Sequence, residues 1–328
     1  MSPKNVLVSA VLIAAAAGIA RSEGPALAPA GVLTVTTDLS FFRIPIWSGD
    51  ALVSIEGSIP GPHAFVVYAP TGEVLLDAVF SVAGTQHTSV RSWARGADGS
   101  VAVCGTSFDR DGRSAPFIAM ISADGASQHI IRTEPFYPHL VTVAADGSLW
   151  AVGRNLNSHR GEEGVDPNAG VLRHFDRSGR PLGAYLLRST FKNPVELNEL
   201  NGILRPLQDG VAWIHYLSNG DGSYTEVSSR GEVTSYPIPS MRKDQSDEII
   251  IRGMAVTPAN DVFASMYLGG KIESGSIFWL DREKRRWLPV TQPAGIAGAI
   301  VFGANGSGLV LPLIGDSPST FHFFNVAP

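Results

Sequence analysis

Cysteine is almost absent from this 328-residue chain, where Cys104 stands alone, so neither a disulfide framework nor a cysteine-rich zinc site holds it together. A lone Cys in an apolar stretch reads as a small buried hydrophobe. Charge is sparse too. Asp, Glu, Lys and Arg make up 17% of the residues, below the roughly 25% of an ordinary soluble domain, which excludes a self-repelling disordered chain. The formal charge is −5, and the one dense basic stretch, 282–286, reads as a solvated turn tip; nucleic acid is therefore not an expected partner. No Gly-x-Ser-x-Gly elbow and no His-Glu-x-x-His pair occurs, and the glycine-rich 303–308 lacks dinucleotide-loop spacing. Serine-hydrolase, zincin and nucleotide-dependent chemistries are left without a motif.

Long apolar runs are missing after the first. Residues 6–17 are apolar behind a single Lys4, and Gly18-Ile19-Ala20 precede Arg21-Ser22-Glu23. That order of a cation, an apolar core and small residues reads as a cleaved secretory leader over 1–23. The mature chain, 24–328, is then a single domain in the periplasm or outside the cell, without a membrane span. The run is short and alanine-rich for the runner-up, a retained anchor.

Glycine and proline are plentiful, at 35 and 22 residues, and they fall at intervals. Asp50, Asp98 and Asp146 are 48 residues apart, as are Gly57, Gly105 and Gly153 behind them. Around each Asp an apolar run, a tight turn and a second apolar run recur, clearest in 90–105 and 140–153. Asp-Gly between short apolar runs marks a hairpin, expected here as a turn with positive φ at both central residues. A second hairpin follows in each unit, with turns at Thr71-Gly72-Glu73, Asp124-Gly125 and Ser178-Gly179-Arg180. Two hairpins make one four-stranded propeller blade. Later units centre on Asp209-Gly210, Asn260-Asp261 and Asn305-Gly306, and the last has three strands only. The apolar segment 31–37 belongs to no unit and is expected to supply the missing one. The prediction is all-β, a six-bladed propeller of four-stranded antiparallel blades closed by its N-terminal strand, and monomeric.

The phrase 141–152 with His174-Phe175-Asp176-Arg177-Ser178-Gly179 resembles the six-bladed propellers of the NHL and gluconolactonase-like superfamily. The resemblance implies a channel through the ring and a ligand face at one of its mouths. Counting seven residues back from each turn Asp or Asn gives Arg43, Arg91, His139, Gly202, Gly253 and Gly298, with Arg252 one position away. Cations in adjacent blades suit a carboxylate, a phosphate or an acidic protein segment, because a guanidinium binds such anions bidentately. Inner-strand cations also serve simply to plug a channel by pairing within it. Two long connections are expected on the same face: 154–168, which opens with Arg154-Asn155, and 191–201. Asn155 is a candidate ligand contact. Glu199 and Asn201 are oxygen donors for calcium or another divalent ion. The favoured function is a non-catalytic binding module for an anionic small molecule or acidic peptide. The alternative, which the lactonase-like resemblance implies, is a metal-dependent hydrolase or lyase at the same mouth.

Overall fold

The computed structural model describes residues 24–34, 46–56, 63–155, 168–190, 202–216, 222–238, 250–267, 276–293, 296, 300–306, 308–312 and 320–327. Strand β1 (Ala26–Thr34) comes first and pairs with nothing near it in sequence. The strands that follow come in fours. The first set is β2 (Ile46–Ser48), β3 (Ala51–Glu56), β4 (His63–Tyr68) and β5 (Val74–Phe80); the second is β6 (His87–Arg95), β7 (Val101–Phe108), β8 (Ser114–Ile121) and β9 (Gln128–Arg132). The third is β10 (Phe136–Val143), β11 (Leu149–Asn155), β12 (Gly170–Phe175) and β13 (Pro181–Leu187), and the fourth β14 (Gly202–Pro206), β15 (Val211–Tyr216), β16 (Gly222–Val227) and β17 (Val233–Pro237). The fifth is β18 (Ile250–Val256), β19 (Val262–Tyr267), β20 (Ser276–Asp281) and β21 (Arg286–Pro289). Only β22 (Gly303–Asn305), β23 (Gly308–Leu311) and β24 (Thr320–Ala327) remain, and β1 completes their sheet by pairing with β24.

Every set is an antiparallel meander in sequence order. The first strand of each touches the first strand of the next, from β2 through β6, β10, β14 and β18 to β22, and β22 returns to β2. The chain is a six-bladed β-propeller. Its core is divided among the six gaps between blades. Phe65, Phe80 and Phe117 fill the gap between the first and second; Trp150 and Trp213 fill that between the third and fourth; Leu33, Trp47 and Phe321 fill that between the sixth and first. Alternation along each strand therefore sends successive side chains toward opposite neighbours, which is why inner strands read as continuous apolar runs.

Hydrogen bonds cross these gaps as well. Trp47 Nε1 donates to the Ala304 carbonyl at 2.9 Å, the Val301 amide donates to Ser265 Oγ at 3.1 Å, and Ser48 Oγ donates to the Arg95 carbonyl at 3.1 Å. Arg95 Nη1 reaches Asp50 at 2.6 Å.

Three expectations are corrected. The closing strand begins at Ala26, five residues before the expected start at 31, because β24 offers pairing from Ala327 down to Thr320 and a bulge at Pro29–Gly31 keeps the two in register; 31–34 are strand as expected, and residues 35–37 lie outside the described ones. The hairpin turns have one left-handed residue, not two: Gly99 and Gly147 have φ of 84° and 81°, whereas Asp98 and Asp146 do not share that conformation. Each Asp instead accepts the amide and the hydroxyl of the Ser two residues on, Ser100 and Ser148. An Asx turn of this kind fixes the loop with the carboxylate residue at negative φ. Finally, the basic turn 282–286 is exposed from 283 to 286, as expected, but it is not only a solvated tip. Arg282 donates to Glu226 of the fourth blade at 2.9 Å and to the Asn260 carbonyl at 2.8 Å, while Arg285 lies over the Tyr236 ring. It clamps the fifth blade to the fourth.

Candidate functional site

Inner strands enter the channel at one face and end in their Asp-Gly turns at the other, so the ring has an upper mouth and a lower one. Near the upper mouth the first strands of three blades are bulged at the same place. The register slips between Val90 and Ser92, between Pro138 and Leu140, and between Ile251 and Gly253. The extra residues are Arg91, His139 and Arg252. A bulge re-aims the residue it inserts, and all three bulges insert a basic one. In the fifth blade the equivalent of Arg91 is Arg252 and not Gly253, because Val256 and Val262 enclose 257–261 as Arg95 and Val101 enclose 96–100, which puts Ala259, not Asn260, where Asp98 stands.

The bulges also account for the repeated glycines. Gly105 pairs opposite Val90 and Gly153 opposite Pro138. A Cβ on either would collide with the backbone carbonyl of Ser89 or Tyr137. The bulge pushes that carbonyl over the second strand, and only glycine leaves room beneath it.

Arg91 is exposed and His139 half-buried, and neither makes a hydrogen bond or ion pair with a described residue. Burial, then Arg154, then Arg91 drive the His139 imidazole down to about 4. Arg154, beside the bulge on β11, is itself pushed down by burial and by Arg91. Arg188, at the exit from β13, is pushed down by burial and by Arg154. Arg91, Arg154 and Arg188 thus bring guanidinium groups near one another and near His139 at this mouth. Arg154 and Arg188 were not singled out in the sequence. The signal was present for Arg154, which follows the repeated Gly153 and pairs with Tyr137 beside the bulge.

Asn155 bonds within its own blade. Its Oδ1 accepts Arg173 Nη2 at 2.9 Å, and the same guanidinium lies 4.7 Å from the Phe136 ring centroid. It positions Arg173 at the root of the 154–168 connection. Arg43, Glu199 and Asn201 fall outside the described residues, as does the side chain of Arg252. Among the described residues no cluster of three His, Cys, Asp or Glu could hold a metal ion.

One constellation imitates a hydrolytic triad. His174 Nε2 lies 2.9 Å from Ser148 Oγ, which lies 2.6 Å from Asp146. The hydroxyl donates to the carboxylate, however, so the imidazole acts as donor and takes no proton from the serine. His174 also stacks on Trp150 at 4.0 Å, and Ser148 is buried. The group secures a turn, as the Ser100–Asp98 pair does one blade earlier. Cys104 is fully buried and its thiol is pushed far up by desolvation, as an inert core residue requires.

His139 and His215 are both held down to about 4, His215 by burial. The unfolded chain protonates each near 6.5, so the native state loses stability as pH falls from about 6.5 to 4 and regains it as pH rises. The loss is up to about 3 kcal/mol for each imidazole. Urea unfolding at pH 7.5 and pH 4.5 measures it, and His215→Asn should flatten the difference; an unchanged slope would contradict this origin.

No family model and no curated protein matches the sequence. Among solved structures, a glucose dehydrogenase is similar at 12% identity and a TM-score of 0.48, over 90% of this chain and 99% of that one. The β-propeller domain of the Trilobed protease from Pyrococcus furiosus is similar at 10% identity and a TM-score of 0.46, over 93% of this chain and 85% of that one. The assignment to six-bladed β-propellers rests on strand pairing and the closed ring of inner strands.

Proposed function

We propose that this propeller is a non-catalytic binding module that takes an anionic small molecule or an acidic peptide segment at its upper mouth. The observation that carries this reading is the pair Arg91 and His139. Both are inserted by bulges into the channel wall, neither has a hydrogen-bond partner among the described residues, and His139 is under repulsion from Arg91 and Arg154. Burial and the neighbouring guanidiniums keep His139 neutral at pH 7, and an arriving carboxylate offsets that repulsion and lets the imidazole take a proton. The secretory leader over 1–23 would place the module in the periplasm or outside the cell.

Calorimetric titration with citrate as a polycarboxylate probe tests the reading. Arg91→Ala should weaken binding about tenfold, roughly 1.4 kcal/mol, with little change in melting temperature. The bound anion raises the His139 pKa, so affinity for sulfate, whose own charge is constant over the range, should rise from pH 7 to pH 5. Citrate binding that survives Arg91→Ala unchanged would refute the proposal, and unfolding of Arg91→Ala would assign the residue to plugging the channel. A large, reversible rise in melting temperature when calcium is restored after EDTA would instead favour a metal-dependent hydrolase or lyase using the connection at 191–201.

A further inference from the structure

The lower mouth holds a cavity of about 540 Å³ lined by residues from all six blades, where the turns after their first strands converge. Its described lining includes Trp47, Val143, Pro206, Leu207 and Val256, and its charged side chains are Asp50, Arg95 and Arg205 alone. Arg95 and Asp50 neutralise each other at 2.6 Å. Arg205 is left as the net charge of the cavity.

Arg205 has no precedent in the repeat. It sits one pair in from the end of its inner hairpin, opposite Ala212. On the same face, toward the next blade, the other five blades hold Ile46, Ala94, Thr142, Ala255 and Gly303. Four of the five are small, so nothing in closing a blade calls for a guanidinium there. Its Nε donates to the Met254 carbonyl at 3.1 Å and its Nη1 to the Leu204 carbonyl at 3.2 Å. These bonds orient the group without neutralising it, and Nη2 makes no hydrogen bond to a described residue. Desolvation holds the guanidinium down to about 10, with no carboxylate to offset it. A half-buried cation fixed by two carbonyls, with an end left over, is prepared for an anion.

We propose that the lower cavity binds a small organic carboxylate, its carboxylate on Arg205 and its apolar body among Val143, Pro206, Leu207 and Val256. One guanidinium supplies one charge, which matches a carboxylate and leaves a phosphate dianion half-compensated. The volume lies within the range of small-molecule pockets, and the lining is chiefly apolar with one polar anchor, as such pockets are. The site is distinct from the upper mouth: His139 and Val143 mark the two ends, and four residues of extended strand separate them by roughly 13 Å.

Fluorine NMR of 4-fluorobenzoate with the full mature chain tests this. The wild-type protein should bind it and discriminate against neutral 4-fluorobenzamide. Arg205→Met should weaken binding at least tenfold and Arg205→Lys less, while Arg91→Ala should leave it unchanged. Should Arg205→Met fail to fold, Ala145→Trp decides, because Ala145 is an exposed lining residue whose enlargement narrows the cavity with Arg205 intact; it should abolish binding. No binding by the wild-type protein, equal binding of the amide, tighter binding of inorganic phosphate, or full binding by either variant overturns the proposal. The upper-mouth reading fails independently, through citrate and Arg91→Ala.

Discussion

Gly105→Val should unfold the second blade, with a stability loss of about 4 kcal/mol or more, and Gly105→Ala should lose about 2–4 kcal/mol. The cause is collision rather than backbone strain, since Gly105 is not among the residues of positive φ. A Cβ there would overlap the Ser89 carbonyl oxygen and lie 3.0 Å from its carbon. Ser89 cannot yield, because it is paired with Thr106 and the bulge at Arg91 fixes the next step of the ladder. Gly153→Val should behave alike, its new atoms meeting the Phe136 ring at 2.6 Å. Gly49→Ala is the control: its φ is +64° with nothing within 4 Å, so it should cost only about 1 kcal/mol. Urea unfolding gives all four values. If Gly105→Ala stayed within experimental error of the wild-type protein, the bulge would not be clamped as described, and the placement of Arg91 would lose its support.

Removing residues 24–34 should be as damaging. Leu27 and Leu33 of β1 are buried on opposite sides, one in the gap toward the fifth blade and one toward the first. Each such side chain contributes about 1.5–3 kcal/mol. Pairing with β24 runs from Ala26–Ala327 to Thr34–Thr320, and the Leu27 amide also donates to the Thr291 carbonyl at 2.9 Å. The combined loss is about 5 kcal/mol or more. Its second effect is an open edge on β24, which invites association with another chain. The truncated protein should melt markedly lower and form larger species on size-exclusion chromatography. A synthetic peptide of residues 24–34 should reverse that association by strand addition. Unaltered melting of the truncated protein would show that the ring is held without its closing strand.

The blade count, the order of strands and the identity of the closing strand were legible because two residue types repeat for a physical reason: Asp fixes the inner turn through its Asx bonds, and glycine makes room for the bulge. Turn conformation was misread because Asp-Gly also fits a loop with a single left-handed residue, and sequence alone does not show which hydroxyl the carboxylate will accept. Arg252 was displaced by one residue since the count began at Asn260, which stands where Gly99 does, and Ala259 at the position of Asp98 carries no turn signal. Arg91 and His139 were found by that same spacing. Arg205 was within reach as well, four residues before Asp209 where Ala94 and Thr142 stand four before Asp98 and Asp146; attention to the upper column alone left it out. Arg282 was read as solvated because its partner, Glu226, lies one blade away, and cross-blade pairs leave no local mark.

The pairing of β1 with β24 also has a bearing on time. During synthesis β1 emerges before any blade and β24 after all the others, so the sixth sheet is the one element whose two halves are made at opposite ends of translation. Five blades have every strand in hand as soon as their own segment has left the ribosome. Throughout that interval β1 must wait with Leu27 and Leu33 uncovered, and the ring locks only when the last strand arrives.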